Sequence, residues 1–172
     1  MLADVIAALN ATWPYEWAGF LRQRVYEVQP HAPMNGITAG GWRMAWKDSL
    51  GPIQKAREEA NKMVEEPYTL GIRVDDKEAR IIDVVPGSPA DEAGVAPDMK
   101  LVGVNGRKYS KDVLRDAIAA SPHAGRVELL CENKEFYKTY VLDYRDGSRH
   151  PALARDNGAR DHVSEILAPH AK

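Results

Sequence analysis

Apolar residues recur at helical spacing early in the chain and alternate with polar ones further on. Leu2, Val5, Ile6 and Leu9 fall on one face, which predicts a short helix over residues 2–11. Trp17, Phe20, Leu21, Val25 and Val28 predict a second helix, with Pro14 near its first turn and Thr12 as its N-cap. Pro30 and Pro33 end that pattern. Asn35-Gly36 and Gly40-Gly41 then punctuate a loop or small hairpin carrying Trp42, Met44 and Trp46. Residues 52–66 read as a third helix, a connector to a strand-rich stretch. Pro52 suits its first position, Glu58 and Glu59 against Lys55 and Lys62 give it a solvated face, and Pro67 stops it.

From residue 68 the period changes to that of strands. Leu70, Ile72 and Val74 alternate, Asp75-Asp76-Lys77-Glu78 forms a polar turn, and Arg80 to Val85 gives a second strand. Ser88 caps a short helix that opens on Pro89 and ends at Gly94. Met99 to Val104 is a third strand, closed by the turn dipeptide Asn105-Gly106. Ser110 caps a helix, running to Ala120, that bears Val113, Leu114, Ala117 and Ile118. Val127–Cys131 and Phe136–Leu142 form a final hairpin. The resulting order is β-β-α-β-α-β-β. The stretch 143–172 is polar and punctuated by Gly and Pro. There, Val163, Ile166 and Leu167 make a turn or two of amphipathic helix, and the rest is expected to wrap the surface or be mobile.

Composition sharpens this division. All four tryptophans lie in the first 46 residues, so residues 1–66 read as a helical segment, 67–145 as a strand-rich domain and 146–172 as a tail. Of the 172 residues, 44% are apolar and 28% charged, the balance of a soluble globular protein. The net charge of -2 and the lack of a basic stripe argue against nucleic acid as a partner. No apolar run approaches the ~20 residues that span a bilayer, so no membrane partner is expected. Met1-Leu2-Ala3-Asp4 lacks the basic start of a signal peptide, yet the compartment stays open if these residues begin an excised piece. The single Cys131 excludes an intrachain disulfide, and its strand-like context marks a small buried hydrophobe.

Several segments between Tyr68 and Leu142 resemble a PDZ domain of the bacterial type. They are Tyr68-Thr69-Leu70-Gly71-Ile72, Val84-Val85-Pro86-Gly87-Ser88-Pro89-Ala90, Ala93-Gly94-Val95 and Val104-Asn105-Gly106, together with the helix after Ser110. The likeness implies an α+β fold: a partly open β-barrel with two helices, here preceded by a Trp-rich helical segment. It also implies capture of an extended peptide or a protein C-terminus by strand addition. Thr69-Leu70-Gly71-Ile72 resembles the carboxylate-binding loop, where the N–H groups of Leu70, Gly71 and Ile72 would hold a terminal carboxylate. The strand Gly71–Asp75, with Arg73 and Val74, would pair with the peptide, and the helix Lys111–Ala119 would form the other wall. Leu70, Ile72, Leu114 and Ile118 are candidates for the apolar pocket, though all four also suit a core. Occupation of the loop by the chain's own tail or a neighbouring domain is the competing reading.

A search for catalytic patterns finds none. His31, His123, His150, His162 and His170 lie in no H-E-x-x-H, and His162 has no second imidazole at ligand spacing. His31 and His150 each adjoin a proline and read as surface residues. No G-x-S-x-G elbow or phosphate loop is present. The acidic pairs Asp75-Asp76 and Glu65-Glu66 read as solvated. The Trp13/Trp17 pair reads as helical packing.

The likeness also extends outside the strand-rich part. Asp4–Asn10, Pro14-Tyr15-Glu16-Trp17, Phe20–Val25, Gly40-Gly41-Trp42-Arg43, Met99–Gly106 and Ile166-Leu167-Ala168-Pro169 resemble the region after the catalytic core in the glycyl aminopeptidase family. Its members are zinc metallopeptidases with a C-terminal PDZ domain. The resemblance implies a C-terminal fragment without the zinc motif. Neither a catalytic residue nor a metal ligand carries over, and no cofactor is expected in this chain, with zinc in the parent's catalytic domain. It implies a non-catalytic module that holds peptide chains, or alternatively a structural domain whose groove its own chain fills. The expected partners are peptide ends, the parent's peptidase domain, or a second copy through the apolar face of Leu9, Trp13, Trp17 and Phe20.

Overall fold

The computed structural model describes residues 1–29 and 32–169; His31, read above as a surface residue, and His170 lie outside them. In chain order the elements begin with α1 (Leu2–Thr12), α2 (Trp17–Val25), α3 (Asn35–Ala39), β1 (Trp42–Lys47), α4 (Pro52–Asn61) and β2 (Met63–Glu66). Next come β3 (Ile72–Asp75), β4 (Ile81–Val84), α5 (Pro89–Glu92), β5 (Lys100–Val104) and β6 (Arg107–Lys108). The chain closes with α6 (Lys111–Ala124), β7 (Val127–Asn133), β8 (Phe136–Leu142), β9 (His150–Arg155) and α7 (His162–Leu167). Two compact units result: residues up to Arg43 with those from Arg155 on, and Met44–Ala154. Among the described residues no helix is long and apolar enough to cross a membrane.

In the first unit the expected helices form, but their caps differ. Thr12 does not cap α2. It is the last residue of α1, where its Oγ1 donates to the Ala8 carbonyl at 3.1 Å. Glu16 takes the cap instead, its Oε2 accepting the Gly19 N–H at 2.7 Å. Pro14 explains the break, since it cannot donate to a continuing helix. Trp13 therefore lies just past the end of α1, in extended conformation, and Trp17 opens α2. The Trp17 indole N–H reaches the Trp13 carbonyl at 2.9 Å, and its ring meets Tyr15 and Phe20 edge-on. Asn35-Gly36, expected in a loop, opens α3. The tail forms the short helix expected around Val163, Ile166 and Leu167, as α7, and adds a strand that was not expected, β9. Asp161 caps α7 by accepting the Ser164 N–H, and it also accepts the Trp42 indole N–H, both at 2.9 Å. These two hydrogen bonds lower its carboxyl to about 2.

The second unit holds the core. Leu70, Ile72, Val74, Ile81, Leu101, Val104, Leu114, Ile118, Leu129 and Leu142 are all buried in one cluster. The strands are antiparallel within two sheets, β2-β3-β4 and β6-β5-β7-β8, and β1 with β9 makes a two-stranded ribbon. The fold is thus mixed α+β with open antiparallel sheets and no closed barrel among the described residues, and an antiparallel bridge between Arg80, the residue before β4, and Lys100 links β4 to β5. One added short strand, β6, comes after the Asn105-Gly106 turn, whose two positive φ angles of 47° and 75° suit a tight hairpin. Ser88 and Ser110 cap α5 and α6 as expected, accepting N–H groups from Asp91 and Val113. α6 runs past the predicted Ala120 to Ala124, with Pro122 inside it and Gly125 in the left-handed conformation ending it.

The largest departure falls at residues 52–66. The helix stops at Asn61, Lys62 turns left-handed at φ 54°, and Met63–Glu66 is a strand. The helical continuation loses because β3 offers an unpaired edge for those four residues to hydrogen-bond. Glu58, placed on the solvated face by pattern, is only 2% exposed.

Past β8, the Tyr144 hydroxyl donates to the Gly147 carbonyl at 2.6 Å, and the Gly147 N–H donates to Ser121 Oγ on α6 at 3.1 Å. This pins the segment leading to β9, where His150 is buried rather than at the surface. Cys131 is buried on β7, and burial pushes its thiol up to about 11. A low-pKa, accessible thiolate is what thiol reagents need. In the folded chain at pH 8, Cys131 is expected to resist a chromogenic disulfide reagent for hours and to react fully in denaturant. A stoichiometric burst from the native chain would contradict this packing.

Candidate peptide-binding site

β3 is the strand to which the sequence assigns an incoming peptide, and neither of its edges is open. β4 pairs with one edge, matching Ile72 with Val84. β2 pairs with the other, in the register Met63↔Asp75, Val64↔Val74, Glu65↔Arg73 and Glu66↔Ile72. The Asp76 N–H extends this pairing to the Lys62 carbonyl at 2.9 Å. β2 runs antiparallel to β3, with Glu66 arriving at the loop that precedes it.

That loop is also engaged. Gly71 has φ +82°, and a Cβ there would fall 2.1 Å from both Cβ and Oγ of Ser88, so only glycine fits. Its N–H, expected to face a terminal carboxylate, donates to the Glu66 carbonyl at 2.9 Å. The Leu70 and Gly71 carbonyls accept from Ala90 and Val85. Thr69 is buried, and its Oγ1 donates to Glu66 Oε2 at 2.8 Å.

The apolar candidates Leu70, Ile72, Leu114 and Ile118 are no more than 1% exposed, and all belong to the core together with Val74. Arg73 reaches Asp83, Nη1 to Oδ2 at 3.1 Å. Five of the eight candidates, Leu70, Ile72, Val74, Leu114 and Ile118, thus lie in one core, Thr69, Gly71 and Arg73 flank them along the chain, and β2 lies along the β3 edge.

Charge holds β2 there. Arg115 on α6 donates from Nη2 to both carboxylate oxygens of Glu58 at 2.7 Å, and from Nε to Glu66 Oε1 at 3.3 Å. Lys111 Nζ stands 3.1 Å from Glu58 Oε2, and the Glu65 N–H donates to Glu58 Oε1 at 2.9 Å. Burial pushes the Glu58 carboxyl up, but the hydrogen bonds from Arg115, Glu65 and Lys111, with the charge of Arg115, outweigh it and hold the group below its ordinary value. Burial pushes Arg115 down, and the same contacts outweigh that and raise it. The sequence pattern does not reveal this cluster. Glu65-Glu66 reads as a solvated pair, and the one local signal is the in-out alternation of Met63, Val64, Glu65 and Glu66 before Pro67.

A small crevice of about 30 Å³ adjoins the cluster, bounded by Gln54, Glu58, Glu65, Glu66, Tyr68 and His150. Tyr68 meets Trp46 edge-on at 5.7 Å, and the Arg149 guanidinium stands 4.6 Å from the Trp46 ring centre. Among the described residues no group of three or more His, Cys, Asp or Glu side chains is placed to hold a metal ion.

No protein-family model matches the chain, and no curated protein matches it. Among solved structures it is similar to an aminopeptidase N family protein from Idiomarina loihiensis, with a TM-score of 0.60 and 14% identity. The match covers 96% of this chain and 28% of that one. At that identity the similarity is one of fold, and the chain spans a little over a quarter of the length of the structure it matches.

Proposed function

We propose that this chain is a non-catalytic part of a larger zinc aminopeptidase-like protein. In this reading Met44–Ala154 is a PDZ-type unit acting as a structural domain, with its peptide slot filled by its own strand. The observation that supports it is the pairing of β2 with the β3 edge that a peptide would otherwise use, together with the Gly71 N–H donated to Glu66. An incoming strand would have to displace both the backbone ladder and the buried Glu66 carboxylate. Capture of an outside chain end, the function implied by the loop Thr69-Leu70-Gly71-Ile72 alone, requires β2 to leave first. The fold similarity to part of an aminopeptidase N family protein supports the peptidase context.

Titration of the intact chain with peptides ending in apolar residues, monitored by amide NMR, tests the proposal. No saturable shift is expected at Leu70–Val74. Saturable shifts at those amides would show an open groove and overturn it.

A further inference from the structure

We propose that the slot beside β3 is a reader of an internal glutamate in an extended strand, not of a chain end, and that Arg115 and Thr69 determine its specificity. This rests on the self-filled slot proposed above, and β2 serves as the tethered ligand that reveals what the slot recognises. Alternate residues of a strand face opposite sides. Val64 and Glu66 are the inward pair, 0% and 2% exposed, while Met63 and Glu65 are only half-buried. The recognised pattern is therefore an aliphatic β-branched residue, any residue, then glutamate.

The glutamate is read by both oxygens. Oε1 accepts from Arg115 Nε at 3.3 Å, and Oε2 accepts from Thr69 Oγ1 at 2.8 Å. Its backbone carbonyl takes the Gly71 N–H that would otherwise meet a terminal carboxylate. The chain then continues through Pro67, so the ligand is an internal segment. An aspartate would fall one methylene short of this pair of donors, and a glutamine would set an amide N–H₂ against one of them. Either change leaves a buried donor unmet, the situation in which binding sites discriminate most strongly. Arg115 stays charged and positioned without Glu66, because Glu58 holds its Nη2.

The test loosens β2 in the full chain and supplies the strand in trans. The V64G/E66Q chain is titrated with a synthetic peptide of the sequence Lys62–Tyr68, and with the same peptide carrying Gln at the position of Glu66. Amide shifts at Ile72–Asp75 and the Arg115 Nε–H report binding. The glutamate peptide is expected to bind about tenfold or more tightly than the glutamine peptide, since one partner of a buried charge pair is lost. Equal affinities, or shifts away from β3, would overturn the proposal. If circular dichroism finds V64G/E66Q unfolded, V64A takes the same two peptides. In parallel, a double-mutant cycle of E66Q with R115M on the otherwise intact chain is expected to be strongly non-additive, and additive urea midpoints would count against Arg115 as the reader. Peptide uptake by the intact chain would instead defeat the self-filled reading, so the two failures are separate.

Discussion

Replacing Arg115 by Met is expected to destabilise the chain by about 3 kcal/mol, read as a lower urea midpoint at pH 7. The change leaves the Glu58 and Glu66 carboxylates buried without their guanidinium, and stranding one side of a buried pair costs ~3–5 kcal/mol. The lower end applies because the Arg115 side chain keeps 25% of its surface exposed and Lys111 still reaches Glu58. Acid should shrink the effect. The folded Glu58 carboxyl lies below its ordinary value of 4.5. Its stabilising contribution is therefore complete above pH 4.5 and is lost as pH falls through the depressed folded value. R115M removes the Arg115 hydrogen bonds and charge, the foremost of the groups that hold the Glu58 carboxyl down, so most of that acid-labile contribution goes with them. The two chains should draw together in urea titrations as pH falls from about 5 through the depressed folded value. An unchanged gap across that range would mean that Arg115 stabilises by packing alone.

Replacing Leu114 by Ala is expected to cost ~2–5 kcal/mol, the range for emptying a packed leucine site. Leu114 is 0% exposed and belongs to the cluster that includes Leu70, Ile72 and Ile118. The same position is a candidate wall of a peptide pocket, and the two roles predict different results. A pocket residue would lose ligand affinity at nearly unchanged stability, whereas a core residue lowers the midpoint whatever is added. Ile82→Ala serves as the comparison, since Ile82 is 49% exposed and should move stability by no more than about 0.5 kcal/mol. A Leu114→Ala midpoint close to that of Ile82→Ala would remove Leu114 from the core.

What can be read from sequence is what local chemistry decides. Ser88-Pro89 and Ser110 announce α5 and α6 because a cap acts on N–H groups three residues away. Asn105-Gly106 announces a tight turn because few residues accept positive φ. Residues 63–66 cannot be read this way. Met-Val-Glu-Glu continues the charge pattern of α4, and what makes it a strand is the β3 edge and an arginine far along the chain. His150 departs from its pattern for a similar reason. Its proline neighbour suggests a loop, while the Tyr144–Gly147–Ser121 tether that leads the chain into β9 has no local signature. The glycine loop and the apolar alternation mark out Thr69–Val74 from sequence alone. The strand beside it and the charged groups that hold that strand are invisible there, since both depend on contacts distant along the chain.

The left-handed Lys62 has a dynamic consequence. It is the single residue between the end of α4 and the start of β2, and Glu58 and Glu66 on either side of it share one guanidinium. Peeling β2 from β3 therefore takes Glu66 from Arg115 and pulls the Glu65 N–H from Glu58 in the same event. The last turn of α4 and the whole of β2 are expected to open as one cooperative foldon, their amides exchanging together, with an opening free energy that falls when Arg115 is replaced.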